Sequence, residues 1–213
     1  YGLANLEWDA PVTPETRFQT ASATKIFTGI ALMRLVEAGK LRLDDTLDRF
    51  FPEAPASWRG ITILQLASHS SGLPDRLGEH VDSVAATVAA AQKAPLAYAP
   101  GTETRYGFTD FVVLRAAMEQ AAGKGIAAIF RAEICLPLGL MDTGFNDERQ
   151  WGPFRSALPL PRRATVHAWK DGEQRISGFL YGETGYAAGG LFSSARDLAA
   201  LFAALDRGEL LKP

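Results

Sequence analysis

Apolar positions along the chain fall into blocks whose spacing separates helix from strand. The longest block follows Ser22: Ile26, Phe27, Ile30, Ala31, Leu32, Met33, Leu35 and Val36 are interrupted mainly by Lys25, Arg34 and Glu37. A segment apolar almost all round is a buried helix, and Gly39 closes it. Thr109–Ala122 predicts a second helix, with Thr109 as cap, Asp110 in the first turn and Gly123 at the end. Ser83–Ala94 is an alanine-rich helix stopped by Pro95. Ile126–Leu136 keeps the helical period up to Pro137, and Ser194–Arg207 forms a last helix between Ser194 and Gly208. Shorter helices are predicted at Asp44–Phe51 and Thr62–Ser68. The first has an acidic start (Asp44, Asp45, Asp48) that suits the helix dipole. Tyr1–Trp8 and Arg17–Thr20 read as strands around a turn from Pro11 to Pro14. Ala164–Lys170 and Glu173–Ser177 flank Asp171-Gly172, a hairpin signal. Pro153, Pro159 and Pro161 make Asn146–Arg163 an irregular loop.

With 213 residues, 47% of them apolar and 22% charged, the chain can bury a core as one domain or two lobes. A net charge of −2 supplies no electrostatic case for a nucleic-acid partner or an anionic membrane. No stretch is long enough to span a membrane and no signal peptide is visible. The first residue is Tyr1 rather than Met, so cytoplasmic, periplasmic and secreted locations stay open. Oligomeric state leaves no mark. Cys135 is alone, which excludes an internal disulfide and a cysteine-based zinc cluster, and its apolar setting predicts an inert buried thiol. His69, His80 and His167 lack metal-ligand spacing, and nothing in the pattern calls for a metal or cofactor.

The chemistry concentrates at Ser22-Ala23-Thr24-Lys25, the only Ser-x-x-Lys in the chain. A serine hydroxyl needs a base within hydrogen-bond reach to become a nucleophile, and a lysine can serve if burial or a neighbouring cation lowers its pKa. Spacing i to i+3 sets both side chains on one helix face. The helix start adds backbone N–H groups and a positive dipole end where an oxyanion would form. The same four residues also fit a helix cap at Ser22 and a Lys25 that reaches to solvent. On their own they leave both readings open.

Further segments follow in order. They are Leu66-Ala67-Ser68-His69-Ser70-Ser71-Gly72-Leu73-Pro74, Tyr98-Ala99-Pro100-Gly101-Thr102 with Tyr106-Gly107-Phe108, Leu138 to Phe145, and Gly189-Gly190-Leu191-Phe192-Ser193-Ser194. With Phe18 to Lys25, this series resembles the serine β-lactamase and penicillin-binding-protein superfamily, most of all the class C-like branch that includes family VIII carboxylesterases. The resemblance runs from Tyr1 to about Leu211. It implies an α/β fold of the α+β type, a helical lobe beside an antiparallel sheet, in one β-lactamase-like domain over residues 1–213. Strands would occupy residues 1–20, the helical lobe 21–145, and a loop, hairpin and helix 146–213. It also implies that Ser22 is the acylated nucleophile, that Lys25 takes or holds its proton, and that Tyr106 matches the tyrosine of the family's Tyr-x-Asn motif. An ammonium beside that phenol favours its ionised form. His69 falls in a turn at a helix end, and Gly189-Gly190 allow close packing near the site.

Two departures shape the expected function. Phe108 stands where the family has Asn, and its ring cannot hydrogen-bond a substrate carbonyl or the lysine. As a substrate-facing residue it favours simple carboxylic esters over β-lactams or D-Ala-D-Ala peptides. The family's third motif, on a strand lining the site, would lie beyond Pro213. The expectation is therefore a fragment of a longer protein, or a site completed by another segment or chain. The readings to be separated are a serine hydrolase acting on a small ester or β-lactam through an acyl-enzyme, and a non-catalytic relative that keeps the fold.

Overall fold

In chain order, β1 (Leu3–Asn5) pairs antiparallel with β2 (Ala10–Pro11), and β3 (Phe18–Gln19) follows. A 3₁₀ turn over Ala21–Ala23 runs straight into helix α1 (Thr24–Glu37). The helices α2 (Ile63–Ala67), α3 (Val84–Lys93), α4 (Thr109–Ala122), α5 (Ile126–Phe130) and α6 (Leu136–Leu138) make up most of the body. Beyond them lie β4 (Gly144–Phe145), a hairpin of β5 (Glu148–Trp151) and β6 (Phe154–Ala157), and a hairpin of β7 (His167–Lys170) and β8 (Glu173–Ile176). Helix α7 (Tyr186–Gly189), strand β9 (Leu191–Ser193) and helix α8 (Ala195–Asp206) complete the order. The structure is a computed structural model that describes residues 1–75, 83–146, 148–151, 154–177 and 181–212.

The apolar block after Ser22 explains the core. Phe27, Ile30, Ala31, Leu32 and Leu35 of α1 are buried, joined in one cluster by Leu114 and Met118 of α4 and by Ile129 and Phe130 of α5. A run of rings carries this core toward the strands: Phe27 stacks on Phe130, Phe130 meets Phe145 at 5.1 Å between centroids, and Phe145 stacks on Tyr186 at 4.5 Å. Strand β9 is central to a three-stranded antiparallel sheet, with Gln19 and Gly144 both opposite Phe192. This sheet draws together segments more than 100 residues apart and fixes the start of α1 against the later part of the chain.

Several local expectations match their elements. Thr62 and Gln65 form a reciprocal capping box on α2, Ser194 caps α8 by accepting from the Asp197 N–H, and the Asp171-Gly172 hairpin lies between β7 and β8. Others need correction. Residues 148–151 and 154–157 pair as the β5–β6 hairpin rather than forming only loop, and Pro159 and Pro161 fall beyond the paired residues, while Pro153 lies outside the described residues. Pro137 does not stop the helix. A π turn over Arg131–Cys135 precedes it, and Pro137 sits in the first turn of α6, where a missing N–H is tolerated; Gly139 (φ 64°) ends the helix. The acidic start at Asp44–Phe51 yields one 3₁₀ turn, Leu47–Arg49. Thr109 does not cap α4. Phe108 is the residue before the helix, and the carboxylate of Asp75 reaches in to accept from the N–H groups of Phe108 and Thr109, the latter at 3.0 Å. His80 lies outside the described residues.

The turn after α2 is tightly built. Gly72 has φ 79°, and a Cβ there would lie 2.2 Å from the Tyr98 carbonyl oxygen, whose segment also donates Ala97 N–H to the Gly72 carbonyl. Gly72→Ala adds left-handed strain to a clash with backbone that cannot rotate away, and is expected to cost about 2–3 kcal/mol of stability. Urea unfolding checks this; an unchanged midpoint would contradict it.

Candidate active site

Ser22 lies in the 3₁₀ turn at the mouth of α1 with its side chain exposed. Ala21 before it has φ 45°, an uncommon conformation for a residue with a Cβ. Three threonines hold this strained turn. Thr20 donates its hydroxyl and its N–H to the Leu191 carbonyl at 3.0 and 2.8 Å, and the Leu191 N–H donates to Thr24 Oγ1 at 3.2 Å. One turn further on, Thr28 Oγ1 donates to the Ala187 carbonyl at 2.7 Å. Lys25, half-buried, follows the same direction: its Nζ donates to the Ala188 carbonyl at 2.7 Å. The polar face of α1 is thus fastened to α7 and β9, which accounts for the deep burial of Gly189 and Gly190. A Cβ on Gly189 would lie 2.6 Å from the Tyr181 ring and one on Gly190 2.8 Å from Tyr186, so both glycines permit close packing.

Tyr106 arrives from the loop before α4, and its hydroxyl donates to Ser22 Oγ at 2.6 Å. The Lys25 Nζ lies 4.8 Å from the Tyr106 ring centroid and 5.0 Å from that of Phe111. Partial burial raises the Tyr106 pKa, but hydrogen bonding to Lys25 and Ser22, with the Lys25 charge, brings it below the ordinary phenol value. Ser22, Lys25 and Tyr106 are therefore brought together. Nucleophile, cation and phenol meet although 84 residues separate Ser22 from Tyr106. Phe108 is half-buried and packs on the core, and a Cβ on Gly185 would lie 3.2 Å from its ring.

Behind Tyr106 lies a polar group the sequence reading left unassigned. Ser71 Oγ donates to Asp110 Oδ1, and Asp110 Oδ2 lies 3.3 Å from His69 Nδ1. Burial pushes the Asp110 carboxyl up to about 7, with the Asp75 charge adding to the rise and the Ser71 hydrogen bond opposing it. Burial, then the Lys25 charge, holds His69 below its usual value against the pull of Asp75. With the imidazole uncharged, the close His69–Asp110 contact is a hydrogen bond rather than an ion pair, and Asp110 passes from carboxyl to carboxylate at about pH 7. Thr24 and Thr28 had a legible signal, two hydroxyls at spacing four on an apolar helix. Asp75 and Asp110 had none, since each acts on a distant segment. Cys135 is buried, its thiol pushed up to about 11 by burial, and His167 begins β7. Among the described residues, no cluster of three His, Cys, Asp or Glu side chains is arranged to hold a metal ion, and no helix is long and apolar enough to cross a membrane.

A small helical body, an antiparallel strand trio and a serine at the mouth of a buried helix define a β-lactamase/transpeptidase-like fold of the serine hydrolase superfamily. The chain belongs to the Beta-lactamase family, which it matches over residues 1–213. It is similar to Esterase EstB of Burkholderia gladioli, 34% identical over 187 residues that cover 76% of this chain and 47% of that protein. It is also similar to Beta-lactamase of Escherichia coli strain K12, 30% identical over 148 residues, covering 68% of this chain and 39% of that protein. Among solved structures, FmtA from Staphylococcus aureus superposes with a TM-score of 0.84 at 26% identity, covering 100% of this chain and 57% of that one. The chain spans about half the length of these relatives.

Proposed function

We propose that this chain carries the nucleophile of a hydrolase that works through an acyl-enzyme, with Ser22 acylated and small carboxylic esters as substrates. The observation that carries the reading is the 2.6 Å hydrogen bond between Tyr106 and Ser22 with the Lys25 ammonium against the same phenol. In the ionised state the phenolate accepts the Ser22 proton as Oγ bonds to the ester carbonyl carbon. The tetrahedral oxyanion develops at the positive end of α1, where the Ser22 N–H is one donor. When the C–O bond breaks, the leaving alcoholate takes the proton back from Tyr106. Water then attacks the acyl-enzyme by the same relay, and the acid departs. Lys25, held on the Ala188 carbonyl, stays beside the phenol through both halves.

Phe108 supports esters over β-lactams and peptides, because a ring at that position supplies no amide to hold an amide substrate's carbonyl. The similarity to Esterase EstB agrees with this preference. Incubation with a fluorophosphonate is expected to attach one label at Ser22, located by peptide mass spectrometry. A p-nitrophenyl ester is expected to give a burst of nitrophenolate. A folded protein that takes no label and gives no burst is a non-catalytic relative. Faster acylation by a penicillin than by a short-chain ester would reverse the substrate order.

A further inference from the structure

The loop that presents Tyr106 rests on the turn after α2, and most of that support converges on one residue. His69 accepts on its carbonyl from the Arg105 N–H at 2.9 Å and from the Tyr98 hydroxyl at 3.0 Å. Its Nδ1 accepts from the Gly107 N–H at 3.3 Å, and its ring lies 4.6 Å from that of Tyr106. The residues on both sides of Tyr106 thus donate to His69, and Tyr106 itself packs on the imidazole. From these contacts we propose that His69 is a positioning residue for the reaction: it clamps Arg105 and Gly107 so that the Tyr106 oxygen stays within hydrogen-bond reach of Ser22.

The backbone of His69 fixes where its carbonyl and ring can lie. It is the left-handed residue that ends α2, at φ 58°, with Ser70 N–H bonded back to the Gln65 carbonyl and His69 N–H to that of Leu66. Such a position is ordinarily occupied by glycine or asparagine, which adopt it at little cost. Histidine adopts it more readily than most side chains do, and the turn aims both its carbonyl and its ring at residues 105–107.

The chemistry of the ring is fixed from behind. Nδ1 has one in-plane position, either a lone pair or a proton. Accepting from Gly107 requires the lone pair, so Nδ1 then carries no proton for Asp110, and a protonated Asp110 at 3.3 Å shares that lone pair with Gly107 while its other oxygen accepts from Ser71. An ionised Asp110 would instead draw the proton onto Nδ1 and release Gly107, so the neutral carboxyl leaves His69 in the tautomer that can grip Gly107. The other charged groups facing this cluster are Lys25 and Asp75.

The proposal rests on the acyl-enzyme reading, and the experiment separates the two. His69→Gly removes the ring and relieves the backbone, whereas His69→Asn tolerates the left-handed turn and returns an acceptor oxygen near the Nδ1 position. Both are checked for cooperative melting. His69→Gly is expected to lower kcat for ester hydrolysis by about 10²-fold with KM changed less than about threefold, since misplacing a reacting group acts on the transition state. His69→Asn is expected to recover at least about tenfold of that loss. Independently of turnover, carbon NMR of the tyrosine ζ carbons, with Tyr106→Phe identifying the signal, should show the Tyr106 phenol titrating higher in His69→Gly and near wild type in His69→Asn. A His69→Gly protein with unchanged kcat and phenol titration overturns the clamp. So does an Asn variant that is folded yet no better than Gly, or one that fails to fold, which would make the ring a core element. If the wild-type protein takes no label on Ser22, the acyl-enzyme reading fails, and the phenol titration still decides the clamp.

Discussion

Lys25→Ala is expected to slow acylation of Ser22 by about 10³-fold and to leave the protein folded. Two losses combine. The phenol of Tyr106 loses the cation that draws it below its ordinary value, so less of it is ionised and able to take the Ser22 proton. The Ala188 carbonyl loses the Lys25 donor, and with it one of the ties between α1 and α7. Thr28 on Ala187 and Thr20 and Thr24 on Leu191 remain, and the apolar side of α1 is untouched. The structural effect is therefore confined to about 1–3 kcal/mol for a carbonyl left without its donor. The nitrophenolate burst rate reports the first effect and thermal melting the second. A burst rate within tenfold of wild type would transfer the proton relay to another group.

The sequence carried the local half of this site. Ser22, in the 3₁₀ turn, and Lys25, in the first turn of α1, are neighbours because of their spacing, and the apolar residues after them dictate a buried α1 whatever lies around it. Tyr106 was legible only through the order of segments along the chain, because nothing within its own loop marks it as more than an aromatic residue after a turn. The clamp and caps behind it were not legible. Asp75 caps α4 from across a loop, and the preference for a Thr109 cap lost because a carboxylate reached two N–H groups at once. His69 was placed at a helix end, which its φ of 58° bears out, but its grip on residues 105 and 107 depends on how two segments meet in space. The β5–β6 hairpin was hidden for a different reason. The prolines dominate the local signal, yet Pro159 and Pro161 lie beyond the paired positions, and backbone pairing is blind to side chains outside the ladder.

The buried carboxyl under His69 also predicts how stability depends on pH. Asp110 holds its proton to about pH 7 in the folded protein, whereas an unperturbed aspartate loses it near 3.8. Between those values the folded state binds more protons than the unfolded chain, so the contribution of Asp110 to stability is full below about pH 4 and falls as pH rises toward 7. Above that the loss levels off, at about 4 kcal/mol for a carboxyl buried this deeply. Asp110→Asn removes the ionisation while keeping the bonding pattern of the neutral acid. Its amide oxygen accepts from Ser71, and its amide hydrogen faces His69 Nδ1. The variant is expected to match wild type near the acid limit and to exceed it progressively above, most of all at about pH 8. Lys25, Asp75, His69 and Tyr106 face the site in both proteins, so their own titrations largely cancel in the difference. Urea unfolding across the pH range gives that difference directly. Parallel stability curves for the two proteins would mean that Asp110 ionises as easily in the folded state as in the unfolded chain, and that His69 is held by a charged partner after all.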